Sequence, residues 1–193
     1  MIRNPCEGIG IIVMVQKKSP TWKDVKVKLA EFNRANLLAL VKDLYGASKD
    51  NQAFLHARFD LGADALKPYK TRIDRWLAPD LFKNQNVSAS KAKNAIKDYQ
   101  NAIGQPEGLA ELMVFYCECA SDFSNTVGFG DVAYFKALLK MFEAALKISV
   151  TLQNDLRDAL LNRLDHVRSV SYNLGYGVGD EMNIILAEYK DNN

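Results

Sequence analysis

Two histidines, His56 and His166, and three cysteines, Cys6, Cys117 and Cys119, are all the imidazoles and thiols in this 193-residue chain. No His-x-x-x-His, Glu-x-x-His or Cys-x-x-Cys spacing occurs, so no local pair begins a zinc or di-iron site. Asp165 and His166 are adjacent, which on a helix turns their side chains about 100° apart. No metal and no cofactor are therefore expected. Cys117 and Cys119 would diverge by about 200° on one helix. That spacing argues against a disulfide framework and for a reducing compartment, the cytoplasm. Long apolar runs are also missing. The longest, Ile9 to Val15, falls well short of the roughly 18–20 residues of a spanning helix, and no membrane role is expected.

Organised patterning begins only after Lys17-Lys18-Ser19-Pro20. Residues 1–18 read as an extension or flexible arm, with Met14 as a candidate natural start and the run 9–15 as the only strand-like stretch. What remains is the composition of a globular protein, 48% apolar and 25% charged.

Helix signals then follow one another. Thr21, Asn33, Ser48 and Asp64 are placed as N-caps, Gly46, Gly62 and Gly104 as stops, and Pro106 at the head of a long helix. Apolar residues recur at helical spacing: Val25, Leu29 and Phe32, then Leu37, Leu40, Val41 and Leu44 as a buried stripe. The pattern continues through Tyr69, Ile73 and Trp76, through Leu109, Leu112 and Tyr116, through Phe135, Leu138 and Phe142, and through Leu160, Leu164 and Val167. This predicts an all-α fold of about eight helices without a substantial sheet, a multi-helix bundle or a short α-solenoid. Residues 19–193 read as one all-helical domain. Its longest loop, Asp80 to Ser90, suggests two halves meeting near 80–90.

Leu37 through Tyr45, followed by Ser48 through Phe59, resembles a group of bacterial conserved hypothetical proteins, and Leu174 through Asp180 is similar to the C-terminal end of that group. The resemblance covers most of the chain from about Met14 onward. It implies a bacterial cytosolic helical protein and carries no activity and no catalytic residue.

Three features remain as candidates for function. A net charge of +2 conceals +8 over residues 1–100 and −6 over residues 101–193, an asymmetry that suits an anionic partner or self-association. Within the basic half, Lys67, Lys70, Arg72 and Arg75 on one helix and Lys91, Lys93 and Lys97 on another are interleaved with Tyr69, Trp76 and Tyr99. Such a mixture can bind nucleic acid or another polyanion, although the core spacing of the aromatics and a solvated basic face are the favoured explanation. Arg168 and Tyr172 form a polar stripe with Asp165 beside the turn Gly175-Tyr176-Gly177-Val178-Gly179-Asp180. The glycines mimic a phosphate loop but follow a helix, not a strand, which favours a sharp reversal with Asp180 capping the next helix. The leading expectation is a non-enzymatic interaction or scaffold protein with an unknown protein partner or a second copy of itself. Polyanion binding by the 67–97 face comes next. An enzyme or small-anion binder near Arg168, Tyr172, Gly175, Gly177 and Asp180 is the third.

Overall fold

The computed structural model describes residues 19–59, 61, 65–80, 83 and 85–190. Residues 1–18, including the apolar run 9–15, and the predicted stop and cap at Gly62 and Asp64 lie outside the described residues. Among the described residues there are nine α-helices and no strand. They are α1 (Trp22–Leu29), α2 (Arg34–Ala47), α3 (Lys49–Arg58), α4 (Lys67–Leu77), α5 (Ala89–Ala102), α6 (Pro106–Val127), α7 (Val132–Ser149), α8 (Asn154–Ser171) and α9 (Val178–Lys190).

Local chemistry starts these helices where side-chain oxygens can replace missing intrahelical acceptors. Asp24 accepts hydrogen bonds from both the backbone N–H and the hydroxyl of Thr21, each at 2.7 Å. Asn33 accepts from the Asn36 N–H at 2.9 Å, Ser48 from the Asn51 N–H at 3.1 Å, and Asp131 from the Tyr134 N–H at 2.8 Å. Ser88 likewise caps α5, accepting from the Lys91 N–H. Pro106 occupies the first position of α6, where its missing N–H costs nothing.

The chain divides into two compact units between Leu44 and Tyr45, not near residues 80–90. The 80–90 segment instead joins two helices that pack on each other. The Ser88 N–H donates to the Trp76 carbonyl at 2.8 Å, so α5 starts directly against the end of α4. In the larger unit α6 is central and packs against α4, α5, α7 and α8, while α9 closes on α7 and α8. A helix with four helical neighbours belongs to a bundle; a solenoid would stack each pair only on the next. The core contains Ile73, Leu77, Leu112, Tyr116, Phe142 and Leu164, all almost fully buried. Tyr69 meets Tyr99 edge-to-face, with ring centroids 5.4 Å apart.

The smaller unit behaves differently. Neither α1 nor α2 contains a buried residue. The stripe expected to be buried, Leu37, Val41 and Leu44, is 39%, 42% and 50% exposed. The periodicity is helical as predicted, and within the smaller unit that face is exposed.

Candidate functional site

The seven basic residues of the 67–97 segment meet different neighbours. Lys70 donates to Glu111 at 2.6 Å, and Arg72 donates to Asp98 at 2.8 Å with Asp50 at 3.9 Å. Arg75 and Lys91 both lie over the Trp76 ring, with Lys91 Nζ 4.1 Å from its centroid and Arg75 Cζ 5.4 Å. The ring most suited to stacking on a base is thus occupied by the chain's own cations. Lys67 is exposed at the start of α4. Lys93 and Lys97 face a cleft between α5, α6 and α7. The segment is split by what each side chain meets.

Arg168 and Tyr172 are brought together, and the group that joins them comes from α9. Arg168 Nε donates to Asp165 at 2.9 Å and Nη1 donates to the Asn183 side-chain carbonyl at 3.0 Å. The Asn183 amide donates to the Tyr172 hydroxyl. This polar strap ties α8 to α9 and uses the arginine's forked donors internally. In the turn that follows, Gly175, Tyr176 and Gly177 have φ of 75°, 53° and 70°. Three consecutive residues of positive φ reverse the chain, and glycine at two of them avoids the Cβ penalty. Asp180 is not the cap that the sequence suggested. Helix α9 starts at Val178, so Asp180 lies inside its first turn beside Glu181. The reversal is tighter than the spacing implied, and it places Gly179 against the Tyr172 ring. A Cβ there would sit 2.8 Å from Tyr172 Cγ and 2.9 Å from its Cα.

An ion cluster that sequence reading missed links three helices. Arg163 of α8 contacts Glu111 at 2.5 Å and Glu118 at 2.7 Å, both on α6, while Lys70 of α4 shares Glu111. Burial pushes the Glu111 carboxyl up, but hydrogen bonds from Arg163 and Lys70 outweigh it and hold it below the usual carboxylate range. A signal existed: Glu111 and Glu118 are seven residues apart, two turns on one face of a largely apolar helix. The thiols of Cys117 and Cys119 are held in the protonated form. Burial raises Cys117 well above its ordinary value and pushes Cys119 up to about 12. Among the described residues, no three His, Cys, Asp or Glu side chains converge on a point that could hold a metal ion.

The least satisfied surface is therefore the one formed by α1 and α2. Trp22, Val25, Phe32, Leu37, Leu38, Val41 and Leu44 are all exposed, with Trp22 at 69% and Leu38 at 61%. Positions 37, 38, 41 and 44 recur at i, i+1, i+4 and i+7, one continuous apolar face of α2.

These features define an all-helical protein with a packed bundle and exposed apolar residues on α1 and α2. The chain belongs to a family of unknown function, DUF6155, whose model matches residues 21–190. No curated protein and no solved structure matches it. Among the described residues no helix is long and apolar enough to cross a membrane.

Proposed function

We propose that the protein is a non-enzymatic helical interaction protein and that α1 and α2 carry the contact, with a second copy of the chain as the partner. The observation behind this reading is the exposed apolar stripe. Helices of 8 and 14 residues are marginal in water by themselves and depend on burial of an apolar face. The exposed Leu37, Leu38 and Val41 on one face of α2, with Trp22 and Phe32 also exposed, mark an interaction surface. A second copy presents the same stripe, so a two-fold arrangement would bury both faces at once. The polar groups of the strap and the ion cluster are engaged with one another, which favours support of the fold over catalysis. The unpaired thiols Cys117 and Cys119 suit the reducing cytoplasm.

Light scattering coupled to size exclusion tests the reading. Wild type should elute at twice the 21.6 kDa chain mass, and Leu38→Lys with Val41→Lys at the mass of one chain. A wild type that stays at a single chain mass at hundreds of micromolar would overturn it.

A further inference from the structure

We infer that the cleft between α5, α6 and α7 binds an amphipathic anion, an acyl chain or similar apolar body ending in one carboxylate or phosphate. The cleft is about 1210 Å³, beyond the usual span of small-molecule pockets, roughly 300–1,000 Å³. Its deep wall is built from Ile96, Met113, Tyr116, Tyr134 and Met141, of which only Met113 is more than slightly exposed. The two methionines give that wall a soft surface that adapts to an irregular apolar shape.

The space results from residue choice on α7. Toward the core this helix carries Phe135, Leu138 and Phe142. Toward the cleft it carries Ala133, Ala137 and Ala144, three short side chains on the turns that flank Met141. Larger residues at those positions would fill the volume with protein. One helix thus packs tightly on one side and stands back on the other.

The lining carries a net positive charge. Lys93 and Lys97 of α5 and Lys140 of α7 line the opening. Among the described residues none of the three is paired with a carboxylate, whereas Lys70, Arg72 and Arg163 all are. Lys93 and Lys97 stand at i and i+4, where like charges repel unless an anion lies between them. The one acidic group on the lining, Asp131, already accepts the Tyr134 N–H as the cap of α7. An open, largely apolar cleft whose ionic lining is three unpaired lysines against one capping aspartate selects an apolar molecule with an anionic end. This separates it from the α1–α2 surface, which has the apolar face without the chamber.

The probes are dodecanoate, dodecyl phosphate, dodecanol and butyrate, each below its micelle concentration, followed by thermal melting and titration calorimetry on the full chain. Dodecanoate or dodecyl phosphate should raise the melting temperature by several degrees at saturation. Whichever of the two binds more tightly identifies the headgroup. Dodecanol should bind about tenfold more weakly and butyrate not measurably. Lys93→Ala with Lys97→Ala should remove the preference for the anion over dodecanol while leaving the unliganded melt near wild type. Ala137→Leu should abolish binding of every probe. Ala133→Leu, at an exposed position, serves as the second filling variant should Ala137→Leu fail to fold. The inference is overturned if neither anion shifts the melt, if binding survives the filling variants, or if dodecanol binds as tightly as dodecanoate. None of these positions lies on α1 or α2, so the ligand melt and the chain mass fail independently.

Discussion

Helix α2 and helix α6 have the same apolar rhythm and opposite fates. Leu37, Val41 and Leu44 repeat at helical spacing just as Leu109, Leu112 and Tyr116 do, yet the first three are exposed and the second three buried. A periodic stripe states only that one face of a helix is better out of water. Whether it leaves water depends on a partner, and α6 has four helices around it. The comparison shows how amphipathicity separates from burial: one is a property of a segment, the other of a neighbourhood.

The sharpest break in that comparison is energetic. Phe142→Ala in the core should cost about 3–5 kcal/mol by denaturant unfolding, at any protein concentration. Val41→Ala should cost little in dilute solution. Its cost should grow as concentration rises if a second copy covers the stripe, since association stabilises by mass action. A concentration-independent loss as large as that for Phe142 would mean that α2 is already covered within one chain.

Arg163→Ala comes next. It strips two half-buried carboxylates of their shared cation, and with partial solvent access the loss should be about 2 kcal/mol. The sign with pH follows from Glu111, whose folded-state pKa lies below its unfolded value of about 4.3. Its stabilisation is complete above that unfolded value and disappears as pH falls through the folded one. Melting of wild type and Glu111→Gln, compared from pH 7 down to pH 2, should show a gap that closes only in acid. A constant gap would mean that packing, not charge, is lost.

At the 175–180 turn the expected effects are smaller. Gly179→Ala forces a Cβ onto Tyr172 and should cost about 1–2 kcal/mol, and Gly175→Ala, at φ 75°, about 1 kcal/mol. Asp180→Ala should stay within about 0.5 kcal/mol of wild type, because Asp180 sits inside the first turn and not at the cap. A melt lowered as far as that of Gly179→Ala would restore Asp180 to the capping role that its spacing suggested.

Much of the helical layout was legible in the chain. Thr21, Asn33 and Ser48 lie at helix starts as their side-chain chemistry predicts, because capping involves groups within three residues of each other. The turn at Gly175 was also visible, since glycine is the residue that tolerates a positive φ. The candidate sites were less legible. Lys70 and Arg72 read as parts of a basic face until Glu111, 41 residues away, and Asp98, 26 residues away, are folded against them. Asn183 gave no hint that it would join Arg168 to Tyr172. The cleft was invisible for a related reason: Ala133, Ala137 and Ala144 look like ordinary helix formers until α5 is placed opposite them.

The sequence by itself determined the all-α class, several of the helix starts and the faces that each helix would rather hide. Those depend on interactions within about one turn of helix, where chain connectivity already sets the distance. Only the tertiary structure decided which faces are hidden, which lysines meet a carboxylate and which are left around an open chamber. Contacts across 26 to 52 residues have no fixed distance until the bundle closes. The same residue types therefore serve as a core in α6 and as an uncovered surface in α2.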